Sequence, residues 1–302
     1  MLSPLSDYTF RIVAAGTMLL GLASGVTGTF AVLRKESLIG DGLSHASFPG
    51  VVAAFMFLAV KDLEVLLTGA AVASLLCMAA IALTVRYTKV KFDAALATFL
   101  AAFFGVGMML MTYVKHTDNP NQAGLSKFIF GQAATMLARD VEITAAVAAM
   151  ILLLAVIFWK ELKLVAFDAD FARSLQLPVR MTQLVYGLML VASIIIGLQS
   201  VGAILMSSLL IAPAVAARQW TDNLGTMAVL AGGIGALSCG IGTYASAIVK
   251  GLPTGPAIVV TASIVVLLSL LFAPGRGIIA RYRVHREARR RWKEGDINVR
   301  PN

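Results

Sequence analysis

Cysteine, histidine and charge are all scarce in this sequence. Its two cysteines, Cys77 and Cys239, both lie inside apolar runs, so a disulfide framework and a thiolate metal cage are excluded, and both read as small buried hydrophobes. Charged residues make up 14% of the 302 positions, well below the share of about 25% typical of soluble domains. No G-x-x-x-x-G-K-[ST] run occurs, so the chain does not hydrolyse nucleotide by itself. Period-2 alternation, the mark of a membrane barrel, is also missing. What fills the sequence is apolar: 59% of residues are hydrophobic and the mean hydropathy is +0.85. These values point to an all-α membrane protein, because a helix satisfies its own backbone in lipid.

The apolar runs divide into about nine spans, 11–33, 42–60, 63–85, 94–114, 139–159, 181–199, 202–217, 224–249 and 256–273. Each approaches the ~20 residues that cross a bilayer core. Eight crossings with a re-entrant piece is the alternative, segments 181–217 being the weakest part of the count because 197–202 is a tight connection. The first run is longer than a signal-peptide core and only Arg11 precedes it, so it reads as a retained helix. With nine spans and the C-terminus inside, nineteen Lys and Arg fall on inner segments and six on outer ones, the bias expected of cytoplasmic loops. The net charge of +9 is concentrated in the tail, from Arg276 through Arg291 and Lys293. Beside a final span such a tail reads as an anchor on anionic membrane lipid, not as a nucleic-acid surface. The chain thus divides into a membrane domain, 1–275, and a basic cytoplasmic tail, 276–302.

Two connections exceed what a bundle needs. The outer one, from Lys115 to about Met136, opens with turn formers and continues as an amphipathic stretch, 125–131, suited to the outer interface and to an extracytoplasmic partner. The inner one, 160–180, predicts a short helix capped by Asp168 and stopped by Pro178. It adds nothing to bundle stability and is shaped for docking. Glycines recur at helix-packing spacing, Gly21 with Gly25 and Gly28, and 232–242, where small residues let helices approach in lipid.

The chemistry centres on residues 33–50. Asp41 and His45 are four apart, on one helix face, where apolar sequence resumes. An ionisable pair entering a membrane segment is expensive and marks a function. Carboxylate oxygen and imidazole nitrogen suit Mn, Fe or Zn, and two copies at a dimer axis would supply four ligands. The competing reading makes Asp41 a helix cap and His45 a donor to a neighbouring carbonyl. Pro49 bends the same helix, thinned by Gly42 and Gly50. His116 and Asp118 read as solvated turn residues or as acceptors of an incoming cation. Asp93 reads as an interfacial partner of Lys89 or Lys91, and His285 has no assigned role.

The run 25–50, with 122–134 and 209–218, resembles the manganese/zinc/iron ABC importer permeases in register over most of the chain. The resemblance implies eight or nine transmembrane helices and a second permease subunit, identical or different. It also implies a cytoplasmic ATP-binding subunit that carries the ATP, and an extracytoplasmic metal-binding protein. Asp41 and His45 would then coordinate the transported Mn, Zn or Fe(II), with no permanently bound cofactor. The inner loop would be a coupling helix, about 167–178, with Phe167, Asp168, Asp170, Ala172 and Arg173 facing the ATPase. Gly42 stands where many relatives carry Ala, which loosens the helix without removing a ligand. The resulting expectation is a multi-pass subunit of the bacterial plasma (inner) membrane, itself not an enzyme, moving the ion by alternating access. The rivals are a gradient-driven cation transporter or channel with the pair as a proton relay, and an intramembrane enzyme, which lacks a nucleophile beside the pair.

Overall fold

The computed structural model describes residues 7–58, 62–116, 131, 133–249, 251–274, 276–280, 282 and 286. Among them are eleven α-helices: α1 Tyr8–Leu33, α2 Ile39–Leu58, α3 Leu63–Tyr87, α4 Phe92–Lys115, α5 Ala138–Ile157, α6 Trp159–Phe167, α7 Ala169–Ser174, α8 Val179–Ser200, α9 Ala203–Trp220, α10 Leu224–Ile248 and α11 Thr254–Phe272. A 3-10 turn, Ala133–Thr135, precedes α5. The nine long helices answer to the nine apolar runs. Eight of them are long and apolar enough to cross a membrane, with mean hydropathies of 1.3 to 2.4. The ninth, α2, falls short because Asp41, His45, Pro49, two serines and three glycines occupy its length.

Local chemistry sets the boundaries. Asp7 caps α1 by accepting from the Thr9 N–H at 3.0 Å. The same helix closes with Lys35 at φ +60, the Lys35 N–H on Val32 and the Glu36 N–H on Ala31. That double closure satisfies carbonyls a helix end would otherwise strand. Asn223 caps α10 through Gly225 N–H at 2.9 Å. Between α8 and α9 only Val201 and Gly202 intervene, and Gly202 adopts φ +90, which a side chain would resist.

Packing follows the small residues. α1 and α8 are the most buried spans, whereas α4, α5 and α11 present most of their surface outward. α1 meets α10 where Gly21 faces Gly235 and Gly25 faces Ala231, and it meets α9 where Gly28 faces the Leu210 carbonyl. Backbone contact this close strengthens dispersion where lipid offers no hydrophobic drive. Hydroxyls join α1 to α10 and to α8: Thr17 bonds Thr243 at 3.1 Å and Thr27 bonds Ser193 at 3.1 Å, both pairs buried.

The turns after α1, after α3 and before α8 line one cavity, so they share one end of the bundle. At the opposite end, Arg139 of α5 pairs with Glu64 of α3, and Gly131 rests against Val201 and Gly202. α2 therefore runs the full length of the bundle despite its low hydropathy. Arg276, just beyond α11, donates to the Arg218 carbonyl at 3.1 Å and pairs with Asp222, tying the last helix to the α9–α10 turn. The expected outer helix at 125–131, save Gly131, and most of the basic tail lie outside the described residues.

Candidate functional site

The polar pair sits on the first two turns of α2. His45 Nε2 lies 3.4 Å from Asp41 Oδ1, with the aspartate side chain 40% and the imidazole 19% exposed. The pair therefore faces outward from a single chain while keeping one flank covered. That flank is Phe104 of α4, whose ring meets the imidazole edge-on at 4.9 Å, with Phe48 behind it at 6.3 Å. The aromatic wall restricts the imidazole and leaves the carboxylate accessible.

α2 is held by close approach on three sides. A Cβ at Gly50 would run into the Gly69 carbonyl of α3, and one at Gly107 of α4 would come within 2.7 Å of Phe48 and 3.0 Å of Pro49. On the third side, a Cβ at Gly40 would lie 3.1 Å from Leu210 of α9. The helix continues through Pro49, which lacks the N–H that would bond the His45 carbonyl. Ser44 instead turns its hydroxyl to the Gly40 carbonyl and Ser47 to the Ser44 carbonyl, each at 2.6 Å. Gly50 thus serves close contact with α3, and Pro49 alters the ladder directly behind His45.

Among the described residues no group of three or more His, Cys, Asp or Glu gathers where a metal ion could be held. One chain offers two ligands on an accessible face. His116 caps α4, its Nδ1 2.8 Å from the Thr112 carbonyl, and Asp118 lies outside the described residues. Asp93 forms no ion pair with Lys89 or Lys91 among the described residues, and lines the cavity at the basic end instead.

The inner loop folds as two short helices where one was expected. Asp168 is extended, at φ -153 and ψ 101, and its carboxylate accepts from the Asp170 and Phe171 N–H groups, ending α6 and starting α7. α7 closes with Gln176 at φ +57 and the Leu177 N–H on Ala172, before Pro178 leads into α8. Phe167 is 58% exposed and Phe171 53%, and Asp170 pairs with Arg173 on the surface. Ala172 requires a correction: expected to face a partner, it is fully buried, packed with Val165 and Val179. Its small side chain lets α7 pack closely against α6 and the start of α8. Phe171, one position earlier, occupies the outward place, exposed like Phe167 on the other side of the Asp168 break.

Sequence reasoning did not single out the knot beside this element. Arg34 forks onto Glu36 at 2.9 and 3.1 Å, and its guanidinium carbon stands 4.8 Å over the Tyr186 ring of α8. Burial, the largest influence, works against the charge, but the hydrogen bond and charge of Glu36 leave the guanidinium above its ordinary value. The R-x-E spacing at a helix end was the available signal. The knot joins the turn leading into α2 to the helix that follows α7.

Comparison with known proteins places this geometry in a lineage. The ABC 3 transport family model matches residues 6–273. The chain is 45% identical over 269 residues to the manganese transport system membrane protein MntC of Bacillus subtilis, covering 89% of this chain and 62% of that protein. It is 44% identical over 274 residues to the zinc transport system membrane protein TroC of Treponema pallidum, covering 91% and 92%. Among solved structures it superposes on a chain of PsaBC from Streptococcus pneumoniae in complex with Fab, with a TM-score of 0.81, 28% identity and coverage of 94% and 97%. An all-helical bundle with this match over nearly its whole membrane part belongs to the ABC 3 transport family.

Proposed function

We propose that the chain is the membrane permease subunit of an ATP-driven importer of divalent transition metal ions, manganese, zinc or iron(II). The observation that carries the reading is the pairing of Asp41 and His45 within 3.4 Å on an accessible face of α2. Carboxylate and imidazole together suit Mn, Fe(II) and Zn. Two subunits, alike or different, would bring the pairs together into a four-ligand shell, open enough to release its ion. Relatives named for manganese, zinc and iron transport support the cargo class.

Energy enters from a separate cytoplasmic ATP-binding subunit. The exposed Phe167 and Phe171, with Asp170 and Arg173, form the surface that receives it, and Asp168 holds that surface in shape. ATP binding there pushes α7, the bundles rock, and the site opens from one face to the other. An extracytoplasmic metal-binding protein delivers the ion at the opposite end. The basic end, with the C-terminal tail, lies in the cytoplasm of a bacterial plasma membrane.

Protons compete with metal for imidazole, so uptake falls on acidification. The deciding experiment is radiometal uptake, with Mn, Zn and Fe(II) in parallel. It uses vesicles holding the permease with its ATPase and binding protein, comparing wild type with Asp41→Ala and His45→Ala. Assembled variants that hydrolyse ATP and lose uptake support the site. Unchanged uptake overturns it, and uptake that persists without ATP would favour a gradient-driven carrier.

A further inference from the structure

At the basic end the bundle opens into a groove of about 1340 Å³ between α3 and α8. Its deep part is apolar, lined by Met78, Ile81 and Val85 of α3 and by Leu184 and Leu190 of α8. Met78 fills the space above Gly187, where a Cβ would come within 2.5 Å of its thioether. The mouth is basic. Arg34 is neutralised by Glu36, and Arg173 by Asp170. Lys35 and Arg180 line the mouth without an ion pair among the described residues, and Arg86 has only the face of Tyr87, at 5.5 Å. Asp93 is the one unpaired acid in the lining. A cationic rim repels a divalent metal ion, so this groove is not suited to the cargo.

We infer that the groove binds an anionic phospholipid. The phosphodiester sits among Lys35, Arg86 and Arg180, where cations at the membrane surface attract an anionic headgroup. One acyl chain lies between α3 and α8 against Met78, Ile81 and Leu184. The two halves of the groove match the two halves of such a molecule, an anion at the interface and a hydrocarbon within the bilayer. Its occupancy sets the separation of α3 from α8, and α8 begins where the α7 surface ends.

The test is native mass spectrometry of the full-length permease, purified with its ATPase in detergent. Phosphatidylglycerol is titrated against phosphatidylcholine of identical chains. Wild type should bind one phosphatidylglycerol per permease chain in preference to phosphatidylcholine. Combined Lys35→Gln, Arg86→Gln and Arg180→Gln should weaken it by about fivefold per charge removed. Met78→Trp, which fills the apolar part and leaves the charges, should also abolish the adduct, while Lys89→Gln with Lys91→Gln should not. Equal binding of the two lipids overturns the inference. So does a loss confined to the charge variant, which describes a free anion, or to Met78→Trp, which describes a neutral lipid.

Discussion

Gly21 of α1 and Gly235 of α10 stand backbone to backbone, and a Cβ built on either would collide with the carbonyl of the other. No side-chain rotation relieves such a clash, since the atoms met are main chain. Gly21→Ala and Gly235→Ala should each destabilise the protein by about 1–3 kcal/mol, the usual cost of overpacking. Gly105, with nothing near its Cβ position, is the control: Gly105→Ala should hold or raise the melting temperature in detergent.

The two glycines around the polar pair separate in the same way. A Cβ at Gly42 meets the side chain of Leu96, whose nearest methyl would lie at 2.4 Å and whose rotamer can shift, whereas one at Gly50 meets the Gly69 backbone, which cannot. Gly42→Ala should therefore leave uptake within about twofold of wild type, since helix propensity returns up to ~1 kcal/mol. Gly50→Ala should displace α2 from α3 and reduce folded yield and uptake together.

Docking can be separated from folding. Phe167→Ala and Phe171→Ala remove exposed rings and should weaken association of the ATPase, read by co-purification, with little change in permease melting. Asp168→Ala removes the cap of α7 and should cost about 1 kcal/mol of local stability. It should weaken association less than loss of both rings. If the ring variants co-purify as wild type does, α7 is not the contact.

The Arg34–Glu36 pair gives a prediction in pH. Both side chains are mostly covered, at 18% and 15% exposure, so Glu36→Ala strands a guanidinium and should cost about 3 kcal/mol, near the lower bound for a broken buried pair. The guanidinium's folded-state pKa is raised, so its stabilisation is complete below the unfolded value and fades only as pH climbs past it, far in the alkaline range. The melting difference between wild type and Glu36→Ala should accordingly stay flat from about pH 6 to 9. A difference that vanishes within that window would show that Arg34 is not the partner that matters.

The long helices were legible because lipid demands continuous apolar runs, and Asp41 with His45 was legible because four residues make one helical turn. α2 begins at Ile39 and α8 at Val179, within three residues of the starts the apolar runs implied. Contacts across helices were hidden. Nothing at Phe104 announces that it will shelter His45, since an aromatic in an apolar run carries no address. Ala172 was placed outward on the family resemblance alone, whereas the fold turns that alanine inward against Val165 and Val179. The groove between α3 and α8 depends on Gly187 and Met78, which are more than a hundred positions apart in the chain.

The low hydropathy of α2 has a consequence for how the protein is made. A membrane-inserting channel sorts segments by their transfer free energy, and an aspartate adds a cost against entry that reaches about 3 kcal/mol at the middle of a segment and is smaller near its end, where Asp41 lies. α2 carries Asp41, His45 and Pro49, so it is the segment least able to partition into lipid alone. α3, far more apolar and meeting α2 backbone to backbone at Gly50 and Gly69, is synthesised immediately afterwards. The two would then leave the channel together as a hairpin, so that Asp41 and His45 depend on a neighbour to be delivered into the membrane at all.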